Sequence, residues 1–324
     1  MKNEKLKMSF RIRLQSVRNL LQYKKSDFSA CLSGRQVEDS FERTHKKINL
    51  IFYCVLFLIS VPSISLAQFK YELFPSDLNI QPFTANFLEP KAGFLISLDK
   101  NQLRLDISTS HDILQWHNDN KTFSLGADLF TFTRLRSTDD FKFPVETIDY
   151  LFGFNGGYKN KLNDENELGF RLRISHISAH LVDGQFNAQS QQWRENRQPF
   201  VFSKEFIELF PYYRFNSFRT YVGITYIFHV IPKEIKKLNL QLGFDYFATG
   251  IGNDFLTPFL AFDFKLIGIS KYSGNNIISA GVKFGKWDQR GLSLYYSYFS
   301  GKSIHGEYFD LNENYSALGF NFEL

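Results

Sequence analysis

The sequence is short of three things that would hold or place a chain of its length. It has only two cysteines, Cys31 and Cys54, both in the first fifth of its 324 residues. Beyond Ala67 no apolar run approaches the ~18 residues that a membrane helix needs. It also lacks a charge excess of one sign once its leader is set apart. Ile48 to Ala67 (INLIFYCVLFLISVPSISLA) follows Arg43, Lys46 and Lys47 and ends in small residues at Ser65 and Ala67. A basic flank, an apolar core and a small-x-small end read as a secretory signal cut before Gln68, making 1–67 a leader. That leader holds 12 of the 38 Lys and Arg and 5 of the 33 Asp and Glu, which leaves 26 basic and 28 acidic residues. A net charge of −2 on the remainder excludes the basic footprint of a nucleic-acid binder. Without thiols the exported part can hold no disulfide, so packing and backbone hydrogen bonds must hold it. Cys54, behind the bulky Tyr53 and within the apolar core, is a poor lipoprotein acceptor.

What the sequence does have is alternation with a period of two, which in a strand sends successive side chains to opposite faces. Leu238, Leu240, Leu242, Phe244 and Tyr246 alternate with Asn239, Gln241, Gly243 and Asp245. Leu260, Phe262, Phe264 and Leu266 alternate with Ala261, Asp263 and Lys265, and Ile278 to Gly285 follows the same rule. A soluble β-sandwich alternates as well. Here the segments run to the length that crosses a bilayer, and the polar rows carry glycine and charge. A closed barrel is the β arrangement that leaves no unpaired backbone in lipid. The expected fold class is therefore all-β: a transmembrane antiparallel up-and-down barrel. Twelve strands are predicted at 91–99, 102–109, 122–136, 147–158, 166–180, 201–214, 218–231, 237–248, 257–269, 276–287, 290–300 and 314–324. Residues 68–90 are an N-terminal periplasmic segment or a plug, and 91–324 the barrel. The long connections 137–146, 181–200 and 301–313 share one side, as extracellular loops should. Within 237–248, Leu242 is expected to face lipid, and Gly243, on the inner row, to accept a serine.

The last strand, with Leu318, Phe320, Phe322 and Leu324 alternating with Gly319, Asn321 and Glu323, resembles the C-terminal strand that the outer-membrane assembly machinery recognises in its clients. That resemblance and the leader imply a bacterial outer-membrane location, with lipid and the assembly machinery as partners. SHISAHLVDGQF at 175–186, LFPSDLNIQPFTANFLEPK at 73–91, FSKEFIEL at 202–209, and GKSIHGEYF with YSALGFNFEL near the end together resemble a family of exported bacterial proteins known as domain of unknown function 1207. Glu89-Pro90-Lys91 stands where Asp-Pro-Arg is common in that family, and Gly184 where an acid is usual. The family supplies no mechanism.

Two candidate sites follow from the faces. The inward charges are Asp128, Arg134, Arg136, Asp149, Arg171, Arg173, Asp245, Asp263, Lys265 and Lys283. An ion-selective channel shows a ring of one sign; these mixed signs read as a cross-lumen network in a structural barrel or a narrow small-solute channel. The alternative lies on the outer face, where His176 and Ser178 continue the row of Phe170, Leu172 and Ile174. His176-Ile177-Ser178 is similar to the His-x-Ser of outer-membrane phospholipase A. That resemblance implies a lipid hydrolase with His176 as base, Ser178 as nucleophile and Asn196 orienting the imidazole; Ala179-His180 departs from the Asn-Gly that follows the serine there. His176, His180 and His305 invite a metal reading, but strand residues four apart lie ~13 Å apart, so no metal is expected. The Gly250-Ile251-Gly252 stretch reads as a turn, and with no phosphate loop or dinucleotide pattern no cofactor is expected.

Overall fold

The computed structural model describes residues 69–249, 251 and 255–323. The leader, its cleavage site, both cysteines, Gly250, Gly252 and the final Leu324 lie outside these residues. The elements in chain order are β1 (Lys70–Leu73), β2 (Ala92–Ser97), β3 (Gln102–His117), β4 (Lys121–Arg136), β5 (Val145–Lys161) and β6 (Asn166–Leu181). Then come the short β7 (Phe186–Asn187) and β8 (Gln192–Trp193), followed by β9 (Phe202–Phe215), β10 (Phe218–Ile231) and β11 (Leu238–Phe247). The chain finishes with β12 (Leu256–Ile269), β13 (Lys271–Phe284), β14 (Gly291–Lys302) and β15 (Asn312–Glu323). Twelve of them, all but β1, β7 and β8, pair antiparallel with their neighbours in sequence order. The ring closes where β15 meets β2, with Phe320 opposite Phe94 and Leu318 opposite Ile96.

The alternation sorts the strands as a lipid-facing wall requires. In β11, Leu238, Leu240, Leu242 and Tyr246 are exposed while Asn239, Gln241 and Asp245 are buried. The same outward row recurs as Leu168, Phe170, Leu172 and Ile174 in β6 and Val222, Ile224 and Tyr226 in β10. The connections 137–144, 182–201 and 303–311 meet at one rim. The other rim carries both ends of the described chain. The predicted strands match, with two larger differences: β13 runs over Lys271–Phe284 instead of 276–287, and β3 continues to His117 instead of stopping at 109. Ser108, Thr109, Ser110 and His111 interrupt the apolar row, and a bulge between Asp112 and Leu114 shifts its phase.

The barrel is not hollow. β1 pairs with the far end of β3, Lys70 opposite His117 and Leu73 opposite Leu114. The chain then leaves the wall, crosses the lumen through residues 74–91, and returns to the wall as β2, running in the same direction as β1. Pro75, Pro82 and Pro90 explain the detour, since proline has no N–H to give a ladder. Among the described residues, Lys70–Leu73 form a short wall strand and 74–90 lie inside the barrel as a plug. Phe83 is fully buried, its ring 4.2 Å from Tyr221 and 5.3 Å from Phe210. Ala85, Phe87 and Leu88 join a second cluster with Phe130, Phe132, Leu151, Ile177, Phe206 and Ile227 from the inner wall.

Leu242→Arg, at a position 49% exposed on the apolar face, is expected to cost about 2–4 kcal/mol at mid-membrane. The inward comparison cannot be Gly243→Ser: a Cβ there would lie 2.3 Å from the Tyr221 hydroxyl and 2.5 Å from the Phe262 carbonyl, so that expectation is corrected. Asn239→Ser, which shortens an inward side chain, is the mild control. Folding titrations into lipid vesicles check this, and equal losses at 242 and 239 would mean that the faces are misassigned.

Candidate functional site

Alternation places a set of charged side chains on the inner face of the wall. Asp128, Arg134, Asp149, Arg171, Arg173, Asp245, Asp263, Lys265 and Lys283 are all buried inside the barrel, and Arg136 is half-buried at the rim. They form separate groups, and several partners were missed in the sequence. Arg173 donates to Glu208 (Nε to Oε2, 3.0 Å) and to the Leu88 carbonyl at 3.0 Å, with Asp128 4.0 Å away. Lys265 reaches the same Glu208 at 3.4 Å, and Arg171 donates to Glu89 of the plug at 2.7 Å. Arg219 donates to the carbonyls of Gln81 at 2.8 Å and Pro82 at 2.6 Å, and to Asp245 at 2.9 Å; Asp245 also accepts from the Thr84 amide at 3.0 Å. Asp263 accepts from Tyr221 and Gln241, each at 2.6 Å. Lys283 donates to the carbonyls of Trp287 and Gln289 in the next turn. Glu208 and Arg219 obey the period-two rule, Glu208 in step with Phe206 and Phe210, and Arg219 between Phe218 and Thr220. That parity could have found them; Glu89, outside any strand, has no such signal.

At the long-loop rim, Arg134 and Arg136 share Glu146 at 2.9 and 3.0 Å, and Arg134 also meets Glu313 at 3.1 Å. Asp149 holds the connection 303–311 inside the mouth: it bonds the His305 imidazole at 2.8 Å and accepts from the Gly306 amide at 2.7 Å. Burial pushes the carboxyl of Glu307 in this connection up to about 7.

The second site is on the outer wall. His176 and Ser178 lie on the outer face of β6, half-buried, directly opposite Glu205 and Ser203 of β9. The Nδ1 of His176 lies 2.6 Å from Glu205 Oε1, which also accepts from the Ser203 hydroxyl at 2.9 Å. The other oxygen of Glu205 meets Nδ1 of His229. A bulge in β10 between Ile227 and His229 shifts the register, and the imidazole comes to face outward. One carboxylate thus sits between two imidazoles, bordered by Ile174, Ile207, Phe228 and the Phe152 ring, 4.9 Å from that of His176. A carboxylate beside lipid is costly unless it is paired and hydrogen-bonded, and here it has three partners.

This corrects the reading of Asn196. That residue lies in a 3-10 turn of the 182–201 connection, Arg194–Asn196, and the partner at Nδ1 of His176 is Glu205. The three histidines considered for a metal do not converge either. His176 and His180 face outward from β6, whereas His305 is buried inside on Asp149.

The chain belongs to the family described as protein of unknown function (DUF1207), whose model matches residues 155–324. No curated protein matches it in sequence. Among solved structures it is similar to outer membrane phospholipase A from Escherichia coli, with 13% identity, a TM-score of 0.48, and coverage of 82% of this chain and 99% of that one. It is also similar to the Salmonella typhi outer membrane phospholipase, solved as a dimer with bound calcium (12% identity, TM-score 0.47, 76% and 94% covered). A third is the β domain of the Bordetella autotransporter BrkA, at 12% identity and a TM-score of 0.38, covering 72% of this chain and 100% of that one. At such identities the likeness concerns the fold alone.

Proposed function

We propose that this member of the family is an outer-membrane barrel that folds sealed, a structural barrel rather than an open channel. The observation that carries this is the plug: wall side chains of β3, β5, β6, β10 and β11 all bond to residues 79–89 of the segment that crosses the lumen. A continuous water path would have to break these bonds and separate Phe83 from its ring partners. In this reading the rim with both ends of the chain faces the periplasm and the long connections face outward. The apolar row of β15 supports its recognition by the assembly machinery, and the apolar outer wall supports lipid as the standing partner. In planar bilayers the refolded protein is expected to show no steady conductance. Arg219→Ala, which frees two plug carbonyls and leaves Asp245 without its guanidinium, is expected to give frequent openings and to cost about 3–5 kcal/mol of stability. Steady single-channel current from the unaltered protein would overturn the sealed reading.

The His176–Glu205 contact favours a second reading, hydrolysis of a lipid ester at the outer wall. Here the Ser178 hydroxyl attacks the ester carbonyl and His176 takes its proton through the ring nitrogen not engaged by Glu205. The alcohol then leaves as the lyso-lipid. Water releases the fatty acid from the acyl-serine by the same proton path, and Glu205 orients the imidazole and stabilises its cation. Ser178→Ala is expected to abolish fatty-acid release from phospholipid vesicles, and His176→Ala to match it without adding to it. Glu205→Gln should lower the rate by about 10⁴, as when a triad carboxylate becomes an amide. If the protein releases no fatty acid with or without calcium, or if Ser178→Ala keeps full activity, the wall is not an active site and the sealed barrel stands alone.

A further inference from the structure

The wall has a break where the chain enters the plug. β2 pairs with β3 only from Leu103 to Asp106, and β1 only from Leu114 to His117. Phe74 adds one bond, its amide to the Ile113 carbonyl at 3.0 Å. Between these contacts Ile107 to Asp112 have no strand neighbour on this edge. Strand edges facing lipid are closed or covered in membrane barrels, so a gap of this length needs an occupant or an aqueous mouth. A cavity of about 100 Å³ lies behind it, lined by Pro75–Leu78, Pro90 and Lys91 of the plug, Ala92 of β2, Ser108–Asp112 of β3 and residues of the wall from β11 to β15. Thr109 and His111, on the outer face of β3, also line it, so the cavity reaches the surface at the gap.

The chemistry of the lining is split. One part is a row of rings on neighbouring elements: Trp287 lies 5.7 Å from Phe247, Phe247 lies 5.7 Å from Phe259, and Phe259 lies 6.4 Å from Tyr295. The other part is cationic: Lys91, Arg219, Lys283 and Arg290 against Asp77 and Asp112. Arg219 is matched by Asp245, and Asp112 already accepts from the Asn79 amide and Gln115. Lys91 bonds the Thr84 carbonyl at 3.1 Å, with Asp106, Glu89 and Asp263 near enough to act on its ammonium, and Arg290, exposed at the rim, bonds the Ser76 carbonyl at 2.6 Å; neither forms an ion pair within 4 Å among the described residues. A cavity with aromatic walls and cationic side chains at one end suits an anion with an apolar body.

We infer that this cavity is a binding site for a carboxylate amphiphile of the fatty-acid class, its head near Lys91 and Arg290 and its chain passing along the aromatic row to the gap between β1 and β2. The enclosed volume is somewhat below the ~150 Å³ cavity that holds benzene, so it takes the head and first few methylenes while the rest of the chain leaves through the wall. The inference rests neither on the hydrolase reading nor on the wall histidines.

Trp287 supplies the readout, since it lines the cavity and the other tryptophans, Trp116 and Trp193, do not. The protein in lipid nanodiscs is titrated with 10-bromodecanoate, whose bromine quenches nearby indoles, and with 10-bromodecanol as the uncharged control. Saturable quenching that disappears in Trp287→Phe is expected, with the alcohol at least about tenfold weaker. Lys91→Gln and Arg290→Gln are each expected to weaken carboxylate binding about tenfold, the loss of one charge-assisted bond. Lys91 also braces the plug, so if Lys91→Gln fails to assemble, Arg290→Gln at the rim decides. Quenching that never saturates, that survives in Trp287→Phe, that is equal for acid and alcohol, or that is unchanged in Arg290→Gln would overturn the site.

Discussion

The structure depends on one reciprocal need: inward guanidinium groups that must be bonded, and a proline-broken segment whose carbonyls have no ladder. Arg219 gives two bonds to consecutive plug carbonyls, Gln81 and Pro82, and Arg173 gives one to Leu88. Each group alone would be an unsatisfied polar atom in a dry interior, a loss of about 1–3 kcal/mol or more when charged. Together they close the account between wall and plug, with Asp245, Glu208 and Glu89 neutralising the cations. The rings around Phe83 add the apolar contacts that make the lumen a packed core rather than a passage.

From that arrangement the other features follow. A lumen filled at its centre leaves chemistry two places: the rims and the outer wall. At the long-loop rim, Asp149 draws the 303–311 connection inward through His305 and Gly306. At the opposite rim the chain cannot both continue the wall and enter the lumen, so β1 and β2 stand as two pieces of one strand position with a gap between them. The wall cluster of His176, Glu205 and His229 is separate from both, on side chains that face away from the lumen.

The sequence was most legible where a single physical rule acted without competition. Period-two alternation between lipid and interior identified the twelve barrel strands and the direction of Asp245, Lys265 and Arg173, because the two faces meet different surroundings along the whole strand. It failed in β3 beyond Thr109, where outward residues are polar because they border the gap and its cavity rather than an unbroken apolar wall. The prolines of the plug argue against a strand, but which carbonyls meet which arginines depends on closure of the barrel. Place in the chain points to Asn196 as the partner of His176. The true neighbour, Glu205, is set by the register of β6 on β9, with a 20-residue connection between them that no local pattern dictates.

Hydrogen exchange of the plug amides in the membrane-embedded protein tests the central claim directly. The amides of Asn79 and Thr84, bonded to Asp112 and Asp245 inside the barrel, are expected to exchange as slowly as those of β11. Residues 79–89 exchanging as fast as the exposed connection 137–144 would show that the lumen is open and that wall and plug do not depend on one another.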